Sequence, residues 1–195
     1  MIKILNTITD DQINELLNKY GSPLYLFDEQ GFKDNLSHLI KAFRSVYANY
    51  NVAYSFKTNY TPYVCNIVKE VGGCAEVVSD MELYLAKKLG FASDEIIYNG
   101  PCKGDMLDDF LLVGGLSNID NKNEADRIVA LAKTNPKRTI NVGIRLNLDI
   151  GAGYVSRFGI EYDSETLASV FSKLKDVENI KIRGLHIHIS RARSS

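Results

Sequence analysis

The 195-residue sequence has no tryptophan, only four prolines, and three each of cysteine and histidine. Each scarcity excludes something. Cys65, Cys74 and Cys102 are odd in number and form no C-x-x-C pair, so they make neither a disulfide framework nor a thiolate zinc site. A reducing, cytoplasmic compartment is the expectation. An excess of charge of one sign is also missing: 23 Lys and Arg face 24 Asp and Glu, for a net charge of −1. With no basic block, electrostatic binding to nucleic acid or to an anionic membrane is not expected. No apolar run approaches the roughly 20 residues of a membrane helix. Met1 to Gln12 lacks a secretion-signal pattern, because Asp10 and Asp11 arrive before any apolar stretch. Length is short as well: a complete eight-stranded barrel usually takes about 250 residues.

What is present is a regular alternation. Thr9-Asp-Asp-Gln12 reads as a capping box opening a helix to Tyr20, which Gly21 ends. A short strand is expected at Leu24 to Phe27, and Asp28 can cap a helix with Phe32, Leu36, Ile40 and Phe43 on one face. Strands then follow at Val52 to Phe56, Cys74 to Val78, Ile96 to Tyr98, Leu116 to Ile119, Thr139 to Leu146 and Ile180 to Ile189. Helical patterns separate them, with Asp163 or Ser164 capping the last. This predicts an α/β protein with a parallel sheet and right-handed crossovers. Periodicity leaves open whether the sheet curls into a barrel or lies doubly wound. In both architectures function gathers at the C-terminal strand ends.

The polar residues at those ends are therefore the candidates. Lys57 closes the first strand of the alternation. It either snorkels to solvent or sits in a low-dielectric pocket where its amine becomes nucleophilic. Glu76 lies within a strand of small and apolar residues, where a carboxylate needs a partner. Glu82 completes Ser79-Asp-Met-Glu82, a capping box that gives it a sufficient structural role. Arg145 alternates against Ile144 and Leu146, as either a buried cation needing a counter-charge or a rim salt bridge. Alternation sends His186, His188 and Ser190 to one face of the last strand. Two histidines there suit a metal, a stacked aromatic ligand or hydrogen-bonded core pairs. The only other histidine is His38, on an early helix. Gly151-Ala-Gly153 starts like a dinucleotide fingerprint, but position 156 is Ser and no helix opens there, so it reads as a loop.

Taken together, six stretches resemble the fold-type III decarboxylases that use pyridoxal phosphate, the family of diaminopimelate, ornithine and arginine decarboxylases. They are Tyr54-Ser-Phe-Lys-Thr-Asn59, Gly73-Cys-Ala-Glu-Val-Val-Ser79 running on to Glu82, and Asn99-Gly-Pro-Cys-Lys103. Arg145-Leu-Asn147, Ser156-Arg-Phe-Gly-Ile160 and Gly184-Leu-His-Ile-His188 complete the set. All stand in family order at strand ends. The resemblance implies a partial (β/α)8 barrel of the alanine racemase-like type, about six of eight units. The strand at Leu24 to Phe27 would join a C-terminal β domain, dividing the chain into 1–27 and 28–195. It implies pyridoxal 5′-phosphate as cofactor and Lys57 as the Schiff-base lysine. His188 matches the histidine that stacks on the cofactor ring, while Glu76 and Arg145 match a polar pair near it. Ser190 stands where relatives help hold the phosphate, though Ile189-Ser190-Arg191 replaces their usual Gly-Ser. Glu82, Arg157 and His186 are expected at the substrate pocket.

The implied activity is decarboxylation of a basic amino acid, diaminopimelate first, by a full-length homodimer. The sequence holds no Glu-Pro-Gly-Arg segment, which the family carries late in its barrel. The chain is accordingly expected to be a fragment with little or no turnover of its own. Rival readings are a pyridoxal-phosphate racemase, a single-domain cofactor-binding protein without catalysis, and a metal-dependent barrel hydrolase using His186 and His188.

Overall fold

The computed structural model describes residues 8–149, 151 and 156–189. The chain forms two compact units, Met1–Tyr50 and Asn51–Ser195.

The first unit holds two helices, α1 (Asp10–Tyr20) and α2 (Glu29–Arg44). The capping box closes as expected: the Thr9 hydroxyl accepts the Gln12 N–H at 3.3 Å, and Gln12 Oε1 accepts the Thr9 N–H at 2.9 Å. Gly21, at φ 82°, ends α1 in a conformation that costs a residue without a Cβ nothing. Asp28 caps α2 by accepting the Gly31 N–H at 2.8 Å. Leu36 and Ile40 are its buried residues. The partner expected for Leu24 to Phe27 is a separate β domain, and within this unit residues 24–27 take no regular structure. The segment has no ladder partner among the described residues.

The second unit is a seven-stranded parallel sheet with helices between the strands. The strands are β1 (Ala53–Ser55), β2 (Cys74–Val77), β3 (Ile96–Tyr98), β4 (Leu116–Ile119), β5 (Ile140–Asn147), β6 (Ile160–Glu161) and β7 (Ile180–Ile187). The helices are α3 (Pro62–Glu70), α4 (Asp80–Lys88), α5 (Met106–Leu112), α6 (Lys122–Thr134) and α7 (Glu165–Lys175). Six of the strands stand where the alternation predicts them. The seventh, β6, has two residues and pairs with the C-terminal end of β5. Ser164, not Asp163, caps α7 by accepting the Leu167 N–H at 3.1 Å.

Strand order answers what periodicity left open. β1 through β5 neighbour one another in sequence order, and β7 follows on β5. A doubly wound sheet reverses its order at a switch point. This one does not, so right-handed crossovers stack the helices between its strands on one face, giving an open portion of a β/α barrel.

Alternation sorts the two faces. On the helix side lie Ala75 and Val77 of β2, Ile96 and Tyr98 of β3, and Ile140, Val142 and Ile144 of β5, all fully buried. Val170 and Leu174 of α7 and Ile128 of α6 pack into the same core. Each such aliphatic side chain contributes about 1.5–3 kcal/mol on burial. The opposite face carries the polar residues.

One irregularity decides which residues β7 adds to that face. Val142 pairs with Ile182, but the next residue, Gly143, pairs with Gly184. Arg183 is thus an extra residue, a bulge. Up to it, even-numbered residues of β7 share the apolar face of β5. Beyond it the parity is exchanged, and His186 lies beside Arg145. In an unbulged strand His186 would pair with Leu146, on the helix side.

Candidate functional site

The polar face lines a cleft of about 810 Å³, within the usual range for small-molecule sites. Every strand but β6 contributes at its C-terminal half: Ser55 of β1 and then Lys57 after it, Glu76 from β2, Asn99 after β3, Asn118 from β4, Arg145 from β5, His186 from β7 and His188 just after it. Lys57 is the only lysine among the described lining residues, and it is exposed at the end of its strand.

Two polar chains hold this wall. In the first, Asn118 Nδ2 donates to Asn99 Oδ1 at 2.6 Å, and Asn99 Nδ2 donates to Glu76 Oε1 at 2.9 Å. The carboxylate expected to need a partner finds it in an amide one residue past the neighbouring strand. Gly143 makes room for the chain, because a Cβ there would collide with Asn118 Oδ1. In the second, Arg145 donates to Asp120 Oδ1 at 2.8 Å, and Asp120 Oδ2 accepts the Gly159 N–H at 3.2 Å. Arg145 is therefore the buried, counter-charged cation of the two alternatives. Its guanidinium also lies 5.2 Å from the Phe158 ring centroid, and Arg157 lies 4.9 Å from the same ring. Glu76 and Arg145 face one cleft through separate partners.

Both cleft imidazoles have a lowered proton affinity. Burial, then the neighbouring Arg145 charge, pushes the His186 imidazole down to about 4. Burial, then Lys57 and Arg145, lowers His188 in the same direction. His186 Nδ1 and Ser55 Oγ are buried without a hydrogen-bond partner among the described residues. No group of three or more His, Cys, Asp or Glu side chains that could hold a metal occurs among the described residues.

Three expected pocket residues separate. His186 lines the cleft, while Glu82 and Arg157 do not. Glu82 is buried and turned onto its own helix start, its Oε2 accepting the Val78 N–H at 2.8 Å. Burial raises its carboxyl above the usual range, and the neighbouring Glu76 adds to this. Arg157 is exposed, packed over Phe158. Ser190 and most of Gly151-Ala-Gly153 lie outside the described residues. Sequence reasoning missed Asn99, Asn118 and Asp120 as site residues. Their signal is alternation: Asn118 and Asp120 share a face across the end of β4, opposite Ser117 and Ile119.

No helix among the described residues is long and apolar enough to cross a membrane. Residues 33–194 match the family model described as pyridoxal-dependent decarboxylase, pyridoxal binding domain. The chain is 28% identical over 191 residues to a diaminopimelate decarboxylase of Aquifex aeolicus, covering 91% of this chain and 43% of the relative. It is 30% identical over 185 residues to that of Methanothermobacter thermautotrophicus, covering 90% and 42%. Among solved structures it resembles a diaminopimelate decarboxylase of M. jannaschii in complex with L-lysine. That likeness has a TM-score of 0.77 at 28% identity, over 90% of this chain and 44% of the other. The chain thus spans less than half the length of the relatives it matches. With a lysine at the first strand end and a family match over most of its length, the chain belongs to the pyridoxal-dependent decarboxylases and carries their pyridoxal-binding domain.

Proposed function

We propose that the chain is the cofactor-binding portion of a pyridoxal 5′-phosphate-dependent amino-acid decarboxylase acting on diaminopimelate or another basic amino acid. The carrying observation is the placement of Lys57, at the mouth of a cleft whose walls hold Glu76, Arg145 and His188. These residues fit the cofactor. A lysine amine is available at the strand end, two imidazoles of lowered proton affinity line the same cleft, and Arg145 offers a fixed positive charge to an anionic group. Pyridoxal phosphate, when bound, supplies an electron sink for the pair left behind as a carboxylate departs as carbon dioxide.

The chain's own groups bind, orient and move protons. Lys57 would hold the cofactor, and its Nζ would return a proton to the substrate α-carbon. His188 would pack against the cofactor ring, and its lowered proton affinity favours the uncharged imidazole there. Glu76, fixed by Asn99, supplies a carboxylate to the cleft, and Arg145, fixed by Asp120, a cation. On this reading residues 1–27 associate with a β domain of the full-length enzyme, a cytoplasmic homodimer.

The test is reduction with borohydride in the presence of pyridoxal phosphate, followed by peptide mapping. Label on the Lys57 peptide supports the reading, and label elsewhere or nowhere sinks it. For the substrate, carbon dioxide release by the full-length protein is screened over diaminopimelate, lysine, ornithine and arginine. Release from none of them, with racemisation observed, moves the assignment to a racemase.

A further inference from the structure

The stretch Asn99-Gly-Pro-Cys-Lys103 gives Asn99 to the cleft, but its lysine does not line it. The Lys103 side chain is 1% exposed. An ammonium has three N–H donors, and here each has an acceptor. Nζ donates to the Gly100 carbonyl at 2.9 Å and to the Asn118 carbonyl at 2.8 Å, and it pairs with the Glu124 carboxylate. Glu124 grips the same strand end from the first turn of α6. Its Oε2 accepts the Asp120 N–H at 2.9 Å, and its Oε1 accepts the Ser117 hydroxyl at 3.4 Å.

The gripped backbone is the backbone that builds the cleft. Asn118 carries the chain to Asn99 and Glu76. Asp120 carries the pair to Arg145 and the contact to Gly159. A buried ion pair is poor value for stability alone, since apolar replacements of both partners are often neutral or better. What this pair supplies is a fixed position for two strand ends.

We propose that Lys103 is a positioning residue for the cleft: by pinning the Gly100 and Asn118 carbonyls and the Glu124 carboxylate, it sets where the Glu76 chain and the Asp120–Arg145 pair meet a bound ligand. It touches no ligand itself. The inference rests on the cofactor reading only for what the ligand is.

The test compares the 195-residue chain with the double variant Lys103→Met/Glu124→Gln, which removes both charges together and leaves no buried carboxylate unpaired. The His186 ring, which feels Arg145, Glu76, His188 and Asp120, is titrated by NMR, and thermal unfolding is followed in parallel. The expected result is a folded variant whose His186 midpoint moves by about half a pH unit or more. Its affinity for pyridoxal phosphate should fall about tenfold or more, as expected of misplaced binding groups. A folded variant with an unmoved His186 midpoint overturns the proposal. If the double variant does not fold, Lys103→Arg serves instead. It keeps the charge but cannot reach the same three acceptors in the same geometry, and the same shift is required of it. Failure of the unsubstituted chain to bind pyridoxal phosphate would refute the cofactor reading, while the histidine titration would still decide the role of Lys103.

Discussion

Arg145 and Asp120 form an ion pair of 2.8 Å in which both side chains are less than a tenth exposed. Removing one partner from such a pair leaves an uncompensated charge, which costs about 3–5 kcal/mol. Asp120 also holds the Gly159 N–H, so its loss releases the turn over Arg145. Asp120→Ala is therefore expected to lower unfolding stability by about 3 kcal/mol or more, measured by urea denaturation. A loss below about 1 kcal/mol, the scale of an exposed pair, would show that the pair is not buried in solution.

Gly143 is a second sensitive position, for a steric reason. Its missing Cβ is the space that Asn118 Oδ1 occupies. Gly143→Ala must displace Asn118 and with it the hydrogen bonds to Asn99 and on to Glu76. Overpacking of this kind costs about 1–3 kcal/mol. The expected outcome is a folded chain destabilised by that amount, with weakened binding of pyridoxal phosphate. Retention of both stability and affinity would mean that the amide chain does not matter to the cleft.

Much of this was legible in the sequence, and the reasons for the remainder are specific. Strands and helices fall where hydrophobic period and caps place them, because most segments pack one face against a single core. Lys57, Arg145 and the two histidines were visible as polar residues interrupting apolar strands. Asp120 was not, since it stands one residue past β4 and reads as part of a loop. The Arg183 bulge was also passed over, yet it leaves a trace: apolar residues occupy 180 and 182, then 185, 187 and 189. That change of parity carries the histidines to the cleft. Leu24 to Phe27 takes no regular structure within its own unit, because a strand depends on a ladder partner and the one expected for it is a separate β domain.

The three thiols should differ sharply in reactivity. Cys65 is fully buried, and burial pushes its thiol up to about 11. Cys74 is half-buried and shifted upward by the same cause. Cys102 is exposed. The thiolate is the reactive form, so iodoacetamide on the native chain should alkylate Cys102 first and spare Cys65 until the chain unfolds. Mass spectrometry of the labelled peptides reads the order. Modification of Cys65 as fast as Cys102 would contradict the packing of α3 against the sheet.

His186 sets a pH dependence whose sign can be worked out. Its folded-state midpoint is about 4, below the ordinary 6.5. Between these values the unfolded chain binds a proton that the folded chain refuses. Stability contributed by this group is therefore fully present above about 6.5, falls as pH drops toward 4, and changes little below that. His188 is displaced in the same direction and adds to the slope. Glu82 opposes it, since a carboxyl raised in the folded state favours folding as it protonates. The comparison that isolates His186 is His186→Phe against the unsubstituted chain. Urea unfolding is measured across pH 4 to 6.5, with the ring titration followed by NMR. The substitution should flatten the loss of stability on acidification, and the ring should titrate near 4. A midpoint near 6.5 would mean that β7 leaves His186 in solvent, and that the bulge at Arg183 does not turn it beside Arg145.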